Sequence, residues 1–268
     1  MSRPDPITSA TNPTVRRLVR MRDNRSRRRA QCVLVDGWRE TQRAVDGGLA
    51  LIGLFVVDGE CPTDSRPLIA AAQEQGVLQF VTPAVMDKIG YGQSSRGVLA
   101  EFTAPDRNLD QLELGERPLV LVLDQIEKPG NIGAVFRCAD AVGVDAVILC
   151  DCDSDLFNPN AIRSSLGAVF TVPAAVESQA AVAKFLKDRG VRPLAARVES
   201  SSELWDCDLT GALAIVLGSE AAGLGKRWAT LDGKPVAGVR IPMAGRVDSL
   251  NISVSAAVIA FEAVRVRR

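Results

Sequence analysis

Histidine is missing altogether from the 268 residues. Mechanisms that depend on an imidazole general base, a Ser-His dyad or a histidine metal ligand are thereby excluded. No apolar run approaches the ~18 residues that a membrane span requires. The polar, Arg-bearing start is not followed by the apolar stretch of a secretory signal, so a cytoplasmic protein is expected. Cysteines are few and scattered: Cys32, Cys61, Cys138, Cys150, Cys152 and Cys207 read as free intracellular thiols. Cys150 and Cys152 have the ligand type for zinc. With no histidine and no second close pair, no metal is expected.

The formal net charge is zero, yet residues 1–43 hold eleven arginines against Asp5, Asp23, Asp36 and Glu40, an excess of +7 that the rest of the chain cancels. Arginines outnumber lysines 26 to 6. Codon usage in a GC-rich genome is one account of that excess, but not of the cluster RRLVRMRDNRSRRR (Arg16 to Arg29). A basic arm on a neutral protein points to a polyphosphate partner; a solvated helix face is the alternative. Hydrophobic content of 47% and charged content of 24% fit an ordinary globular protein of one large or two ordinary domains.

Two blocks separate at the polar stretch TAPDRNLDQLELGERP, whose composition suits a linker. The expected domains are residues 1–103 and 118–268, with 104–117 between them. In the first block, Val15, Leu18 and Val19 follow helical spacing after Asn12-Pro13, a cap and first turn. CVLV, LIGLFVV, VLQFV and RGVLAEF read as strands, and WRETQRAV and PLIAAAQEQ as helices. Such alternation predicts a small α/β sandwich.

The second block opens with PLVLVLD (118–124) and DAVILCD (145–151), apolar and β-branched like strands buried on both faces. FTVPAAV, the helix QAAVAKFLKDRG, VRPLAAR, ALAIVLG (212–218), GVRIPM (238–243) and a C-terminal helix from about Leu250 follow. The expected fold class is α/β, a mainly parallel and doubly covered sheet with ligands beyond the carboxyl ends of its strands.

Three stretches carry the candidate chemistry. In PGNIGAVFRCADAVG (129–143), a helix of about 100° per residue gathers Ile132, Val135, Phe136, Ala139 and Val142 into a stripe that faces the sheet. Arg137 points almost opposite, among Gly133, Ala134 and Ala141. That face is either a covered interface into which one guanidinium projects or a solvated arginine on an alanine-rich helix. Asn131, after the Pro-Gly turn, suits a helix cap. LGSEAAGLG (217–225) is a glycine-rich turn after an apolar strand, where backbone N–H groups can approach a ligand. It is neither a Walker loop nor a G-x-G-x-x-G fingerprint, and a plain tight turn fits as well. Glu220 within it suits a cap, an anchor or an RNA-positioning contact. IPMAGRVDSLNISVSAAVIAFEAV (241–264) places Ser249, Asn251, Ser253 and Ser255 at the start of an otherwise apolar helix, more polar groups than capping requires.

Taken in order, PGNIGAVFRCADAVGVDAVIL, AIVLGSEAAGL and VRIPMAGRVDSLNISVSAAVIAFEAV resemble the three motifs of the SpoU/TrmH branch of the SPOUT RNA methyltransferases. The stretch NPTVRRLVRMRDNRSRRRAQCVLVDGWRETQRAV resembles the ribosomal-protein-like substrate-binding domain that often precedes them. The arrangement is also similar to ribosomal-RNA methyltransferases that confer antibiotic resistance. This resemblance implies S-adenosyl-L-methionine as methyl donor, a ribose 2′-hydroxyl of RNA as acceptor, ribosomal RNA before tRNA, an obligate homodimer and a C-terminal trefoil knot.

By position, the implied catalytic residues are Asn131, Arg137, Glu220, Ser249 and Asn251. The implied cofactor contacts, mainly through backbone groups, are Leu217, Gly218, Ile241, Met243 and Leu250. Arg16, Arg17, Arg27, Arg28, Arg29 and Arg39 are expected to meet RNA, and Arg163 in NAIRSSLGAVF matches a segment that helps hold it. Lys128 departs from the Asn or Asp of many relatives, and Asp36 from a frequent Glu. Arg137 is expected to stabilise developing charge, with an RNA phosphate or Glu220 relaying the proton; the family pattern also permits Arg137 as the base. The rival readings are a tRNA 2′-O-methyltransferase, a SPOUT enzyme acting on a base nitrogen, and a catalytically silent RNA-binding or ribosome-assembly factor.

Overall fold

The computed structural model describes residues 5–91, 96–199, 201–219 and 223–268. They form two compact units: residues up to Asp106 together with Phe157–Thr171, and Arg107–Leu156 together with Val172–Arg268.

In the first unit, α1 (Pro13–Arg20) begins at the expected cap, where the Asn12 side chain accepts the Thr14 N–H at 2.9 Å. Pro13 fits the first turn because its missing N–H would find no helical partner there. A separate helix that the arginine cluster concealed, α2 (Asn24–Ala30), is capped by Asp23 on the Ser26 N–H at 2.9 Å. Then come β1 (Cys32–Asp36), α3 (Trp38–Asp46), β2 (Leu51–Val57), α4 (Arg66–Glu74), β3 (Leu78–Val81), α5 (Pro83–Ile89) and β4 (Val98–Thr103). The sheet runs β1-β4-β2-β3, antiparallel except where β2 meets β3. Val15 and Leu18 of α1 and Val85, Met86 and Ile89 of α5 share one core with Leu34, Phe55, Val57 and Leu99.

The second unit starts with β5 (Leu119–Asp124), α6 (Pro129–Val142) and β6 (Ala146–Cys150). The chain then enters α7 (Pro159–Ser164) and α8 (Ala168–Thr171), both part of the first unit. Back in the second unit lie β7 (Ala174–Glu177), α9 (Gln179–Asp188), β8 (Arg192–Ala196), β9 (Ser201–Glu203) and β10 (Leu213–Leu217). The short β11 (Thr230–Leu231) and β12 (Lys234–Pro235) pair with each other, and β13 (Ala237–Arg240) and α10 (Ile252–Arg267) complete the chain.

The large sheet has the order β7-β6-β5-β10-β8-β13-β9, and its pairings are all parallel. Alternation along the strands serves both faces. Val120, Val122, Ile148, Ala214 and Val216 join a core with Val182 and Leu186 of α9 and with Trp228, while Leu121, Leu123 and Ile215 are buried on the opposite face. The α/β class and the parallel sheet are as expected.

Three local expectations change. Phe170 and Thr171, expected in a strand, close α8 instead, and the strand begins only after Pro173, which has no N–H to give a ladder. The segment Phe157–Thr171 follows residue 118 in sequence yet packs with the first unit, where Phe157 stacks on Phe170 at 5.8 Å and Arg163 meets Asp36 at 2.5 Å. Composition suggests a linker at 104–117, but Leu109 and Leu112 of that stretch are buried in the core of the second unit, and composition is equally silent on the later return of a distant segment. Among the described residues no helix is long and apolar enough to cross a membrane.

Candidate active site

The first helix of interest, α6, begins at Pro129 rather than Asn131. Proline favours the first helical position, so the cap position falls on Lys128, whose side chain makes no capping bond. Asn131 is therefore not the cap. Its Oδ1 accepts a hydrogen bond from Nδ2 of Asn251 at 3.3 Å. Asn251 does cap its own helix, α10, accepting the Ser253 N–H at 2.9 Å and the Ser253 hydroxyl at 2.7 Å. One bond thus joins two helix starts that lie 120 residues apart in sequence. The helices pack together, and the Cys138 thiol of α6 donates to the Ser253 carbonyl at 3.7 Å.

On α6, Ile132, Val135, Phe136 and Ala139 are buried as the apolar stripe requires, and Val142 is half-buried. Arg137 is exposed, and its side chain makes no hydrogen bond or ion pair with any described residue.

A cleft of about 110 Å³ opens beyond the carboxyl ends of β8 and β13. Ile241, Met243 and Leu250, expected around a cofactor, line it, and so does Ser249. Sequence reasoning missed other walls, among them Ala196 at the end of β8, Val198 just after it and Ile259 on α10, while Ser255, one of the surplus polar groups of the third motif, lines the cleft as well. Serine at position 255 was visible as a polar residue on an apolar helix, but nothing indicated that the end of β8 would face it. Leu217 and Gly218 are not part of this wall. Leu217 is buried as the last residue of β10. At Gly218 a side chain would bring Cβ to 2.3 Å from the carbonyl carbon of Gly223, so the returning backbone leaves room only for hydrogen. The Gly223 N–H donates to the Ser219 carbonyl at 2.9 Å and closes that turn. Glu220 lies outside the described residues.

An ion-pair cluster at the ends of β5 and β6 was also missed. Asp124 is buried, and Arg227 donates to it from Nε at 2.7 Å and from Nη2 at 2.9 Å. The same Nη2 reaches Asp151 at 2.5 Å. The carboxyl group of Asp151 is held below its usual range by that hydrogen bond from Arg227. Asp124, Cys150 and Asp151 bring potential metal-ligating atoms within 4.8 Å of one another, but Arg227 already occupies both oxygens of Asp124 and one of Asp151. Burial pushes the Cys150 thiol up and the Cys152 thiol to about 11, so neither is a thiolate nucleophile at neutral pH. The clue in the sequence was an acid closing an otherwise apolar strand.

In the first unit the structure sorts the arginines. Arg27 is only 2% exposed, and its Nη1 donates to the carbonyls of Met21 at 2.9 Å and Arg22 at 2.8 Å. This corrects its assignment to RNA: it turns inward because those carbonyls, at the break between α1 and α2, need donors. Arg17 forks onto the buried Glu101, with Nη2 to Oε2 at 2.6 Å. Arg39 pairs with the buried Glu40 at 3.0 Å. Arg163 donates to Asp36 at 2.5 Å and to the Tyr91 carbonyl, an anchoring contact within this unit. Arg16, Arg28 and Arg29 are exposed, and their guanidinium groups make no hydrogen bond or ion pair with described residues; the same holds for Arg20 and Arg25. Arg16 and Arg20 stand one turn apart on α1; Arg25, Arg28 and Arg29 share a face of α2 by the same spacing.

A doubly covered parallel sheet with a ligand cleft beyond its strand ends defines an α/β protein of the ligand-binding, open-sheet class. Residues 118–261 match the SpoU rRNA methylase family, and the chain belongs to that family. Residues 12–100 match the MRM3-like substrate-binding domain. The chain is 33% identical over 225 residues to the 23S rRNA (guanosine-2′-O-)-methyltransferase RlmB of Vibrio vulnificus, an alignment covering 81% of this chain and 89% of that one. It is 32% identical to the 23S rRNA (uridine(2479)-2′-O)-methyltransferase of Streptomyces viridochromogenes, over 91% of this chain and 86% of the relative. In structure it resembles the SpoU methyltransferase AviRb of Streptomyces viridochromogenes in complex with the cofactor AdoMet, with a TM-score of 0.85, 28% identity and coverage of 95% and 98%.

Proposed function

We propose that this chain transfers a methyl group from S-adenosyl-L-methionine to a ribose 2′-hydroxyl of RNA, with 23S ribosomal RNA favoured over tRNA. The observation that carries this reading is the cleft formed by the third motif, Ile241 to Leu250, in a chain that spans most of the length of relatives named as rRNA 2′-O-methyltransferases.

The cleft fits the donor in kind. Ile241, Met243, Leu250 and Ile259 offer apolar surface to a flat base, and Asp248, Ser249 and Ser255 offer polar atoms. Its volume is below the roughly 300 Å³ at which whole-ligand pockets begin, so it suits the base end of such a molecule. Leu217 and Gly218 would hold the donor through backbone groups. When bound, the donor supplies a sulfonium methyl, an electrophile that requires in-line approach of the attacking oxygen.

The chain's own contribution is alignment and charge. Alignment can lower such a barrier by up to ~7–11 kcal/mol. Arg137 stands unpaired at the surface, ready to donate hydrogen bonds to the ribose oxygen or its neighbouring phosphate as charge develops. An arginine is a cation in proteins, so the proton passes to an RNA phosphate or to Glu220. The linked Asn131 and Asn251 keep the two helix starts, and with them Ser249 and Arg137, in a fixed relation.

The same reading includes a homodimer. Val254 and Phe261, seven residues apart on α10, are 46% and 53% exposed, and α10 packs on the helix that carries Arg137. A covered apolar strip there would make Arg137 part of a composite site; a single-chain mass in sedimentation equilibrium at micromolar concentration refutes it. A trefoil knot fits the path in which β13 lies between β8 and β9 while α10 returns to α6 and β10; an experimental trace without a threaded C-terminal segment rules it out. An rRNA substrate implies the cytoplasm, and fractionation tests that.

The deciding experiment offers labelled S-adenosylmethionine with purified ribosomal RNA and tRNA pools, then maps resistance to alkaline cleavage. Label in ribosomal RNA with a resistant linkage is expected. Label on a base refutes ribose methylation, and failure to bind the donor in calorimetry leaves an RNA-binding factor without catalysis.

A further inference from the structure

In the large sheet β10 lies between β5 and β8. The turn that leaves β10 at Gly218 therefore has the cleft strands on one side and Asp124, the last residue of β5, on the other. Asp124 is 1% exposed. A carboxylate so buried keeps its charge only with a partner, and both its oxygens are taken by the fork of Arg227, Nε to Oδ2 at 2.7 Å and Nη2 to Oδ1 at 2.9 Å. Arg227 follows Gly223, where the Gly218 turn closes, by four residues. Its neighbours Leu224 and Trp228 are buried in the core, and its carbonyl accepts from the Gln179 side chain at 2.5 Å. Asp124, in turn, immediately precedes the loop that enters α6 and leads to Asn131.

The exit of one motif loop and the entrance of another thus share a single guanidinium. Leu224 and Trp228 already bury the segment. A desolvated ion pair adds little stability that an apolar pair of similar volume would not match. What two parallel, charge-assisted bonds add is direction.

We infer that Arg227 is a positioning residue whose fork on Asp124 fixes where Gly223 meets Gly218 at the end of β10 and how the chain leaves β5 toward α6, and thereby sets the affinity for the methyl donor. This rests on the methyltransferase reading above. Asp151, bonded to the same guanidinium at 2.5 Å, steadies the fork from the end of β6. Arg227 is not among the residues that line the cleft, so it would act through the backbone it holds.

The test uses the full chain, calorimetry with S-adenosylmethionine, and thermal unfolding. Two proteins are compared with wild type: Arg227→Lys, which keeps the charge but loses the fork, and the double variant Asp124→Val/Arg227→Met, which removes both charges with little change in total volume. The double variant is expected to unfold within a few degrees of wild type yet bind the donor at least about tenfold more weakly. Arg227→Lys is expected to weaken binding less, a partial rescue. Wild-type affinity in a folded double variant overturns the inference, because the pair then serves stability alone. If the double variant does not fold, Arg227→Lys decides: lowered unfolding temperature with unchanged affinity overturns it equally. A wild-type protein that fails to bind the donor defeats the methyltransferase reading instead, and this inference falls with it.

Discussion

Arg137 and Arg27 look alike in sequence and have opposite fates. Arg137 is exposed and unpaired on a helix face of small residues, whereas Arg27 is buried against backbone carbonyls. Replacing Arg137 by Lys should abolish most methyl transfer, because a lysine ammonium cannot reproduce a planar, multidentate donor; donor affinity by calorimetry should barely change. Near-normal turnover would remove Arg137 from the mechanism. Arg27→Ala should behave as a packing mutation, lowering stability by about 2–3 kcal/mol through two stranded carbonyls. Arg28→Ala, at an exposed neighbour, should leave the unfolding midpoint almost unchanged. Equal stability losses at both positions would contradict the burial that separates them.

At the level of elements, two features depend on close backbone packing and on helix phase. The turn after β10 doubles back so tightly that a methyl group at residue 218 would meet backbone at 2.3 Å. Backbone cannot give way as a flexible side chain would, so Gly218→Ala should displace the turn and weaken donor binding while the core strands remain folded. Unaltered affinity would show that the turn does not reach the cofactor. The α1–α2 pair makes a different demand. Arg16, Arg20, Arg25, Arg28 and Arg29 are its unpaired cations, and each that neutralises an RNA phosphate should contribute roughly 0.7–0.9 to the slope of log affinity against log salt. Replacing all five by Gln should flatten that slope, and a slope identical to wild type would reduce the face to solvation.

For the molecule as a whole, the balance of 32 basic and 32 acidic residues conceals a division of labour among arginines. Several anchor buried carboxylates: Arg17 on Glu101, Arg39 on Glu40, Arg163 on Asp36 and Arg227 on Asp124. Acid should loosen the second unit through Asp151, whose carboxyl is depressed by its bond from Arg227. A depressed folded-state value means that the contribution is complete above the unfolded value of about 3.9 and is lost as pH falls through the folded one. The unfolding midpoint should therefore drop on acidification below about pH 4, and Asp151→Asn should drop less over that range. An identical acid limb in the variant would remove this pair from the acid response.

Much of this protein is legible in its amino-acid sequence. Apolar, β-branched runs determined the buried parallel strands, because only strands covered on both faces tolerate such composition. The stripe on α6 determined which side meets the sheet, because helical phase is local. Absent histidine excluded imidazole chemistry, because no fold supplies a missing side chain. Tertiary structure alone decided the rest. Which arginines are free depends on where carboxylates and carbonyls from distant segments come to lie, and the ion pair at Arg227 joins residues 103 apart in sequence. The return of Phe157–Thr171 to the first unit and the meeting of Asn131 with Asn251 have the same origin: contacts between remote segments arise from the way a chain closes on itself, and no local pattern of residues encodes them.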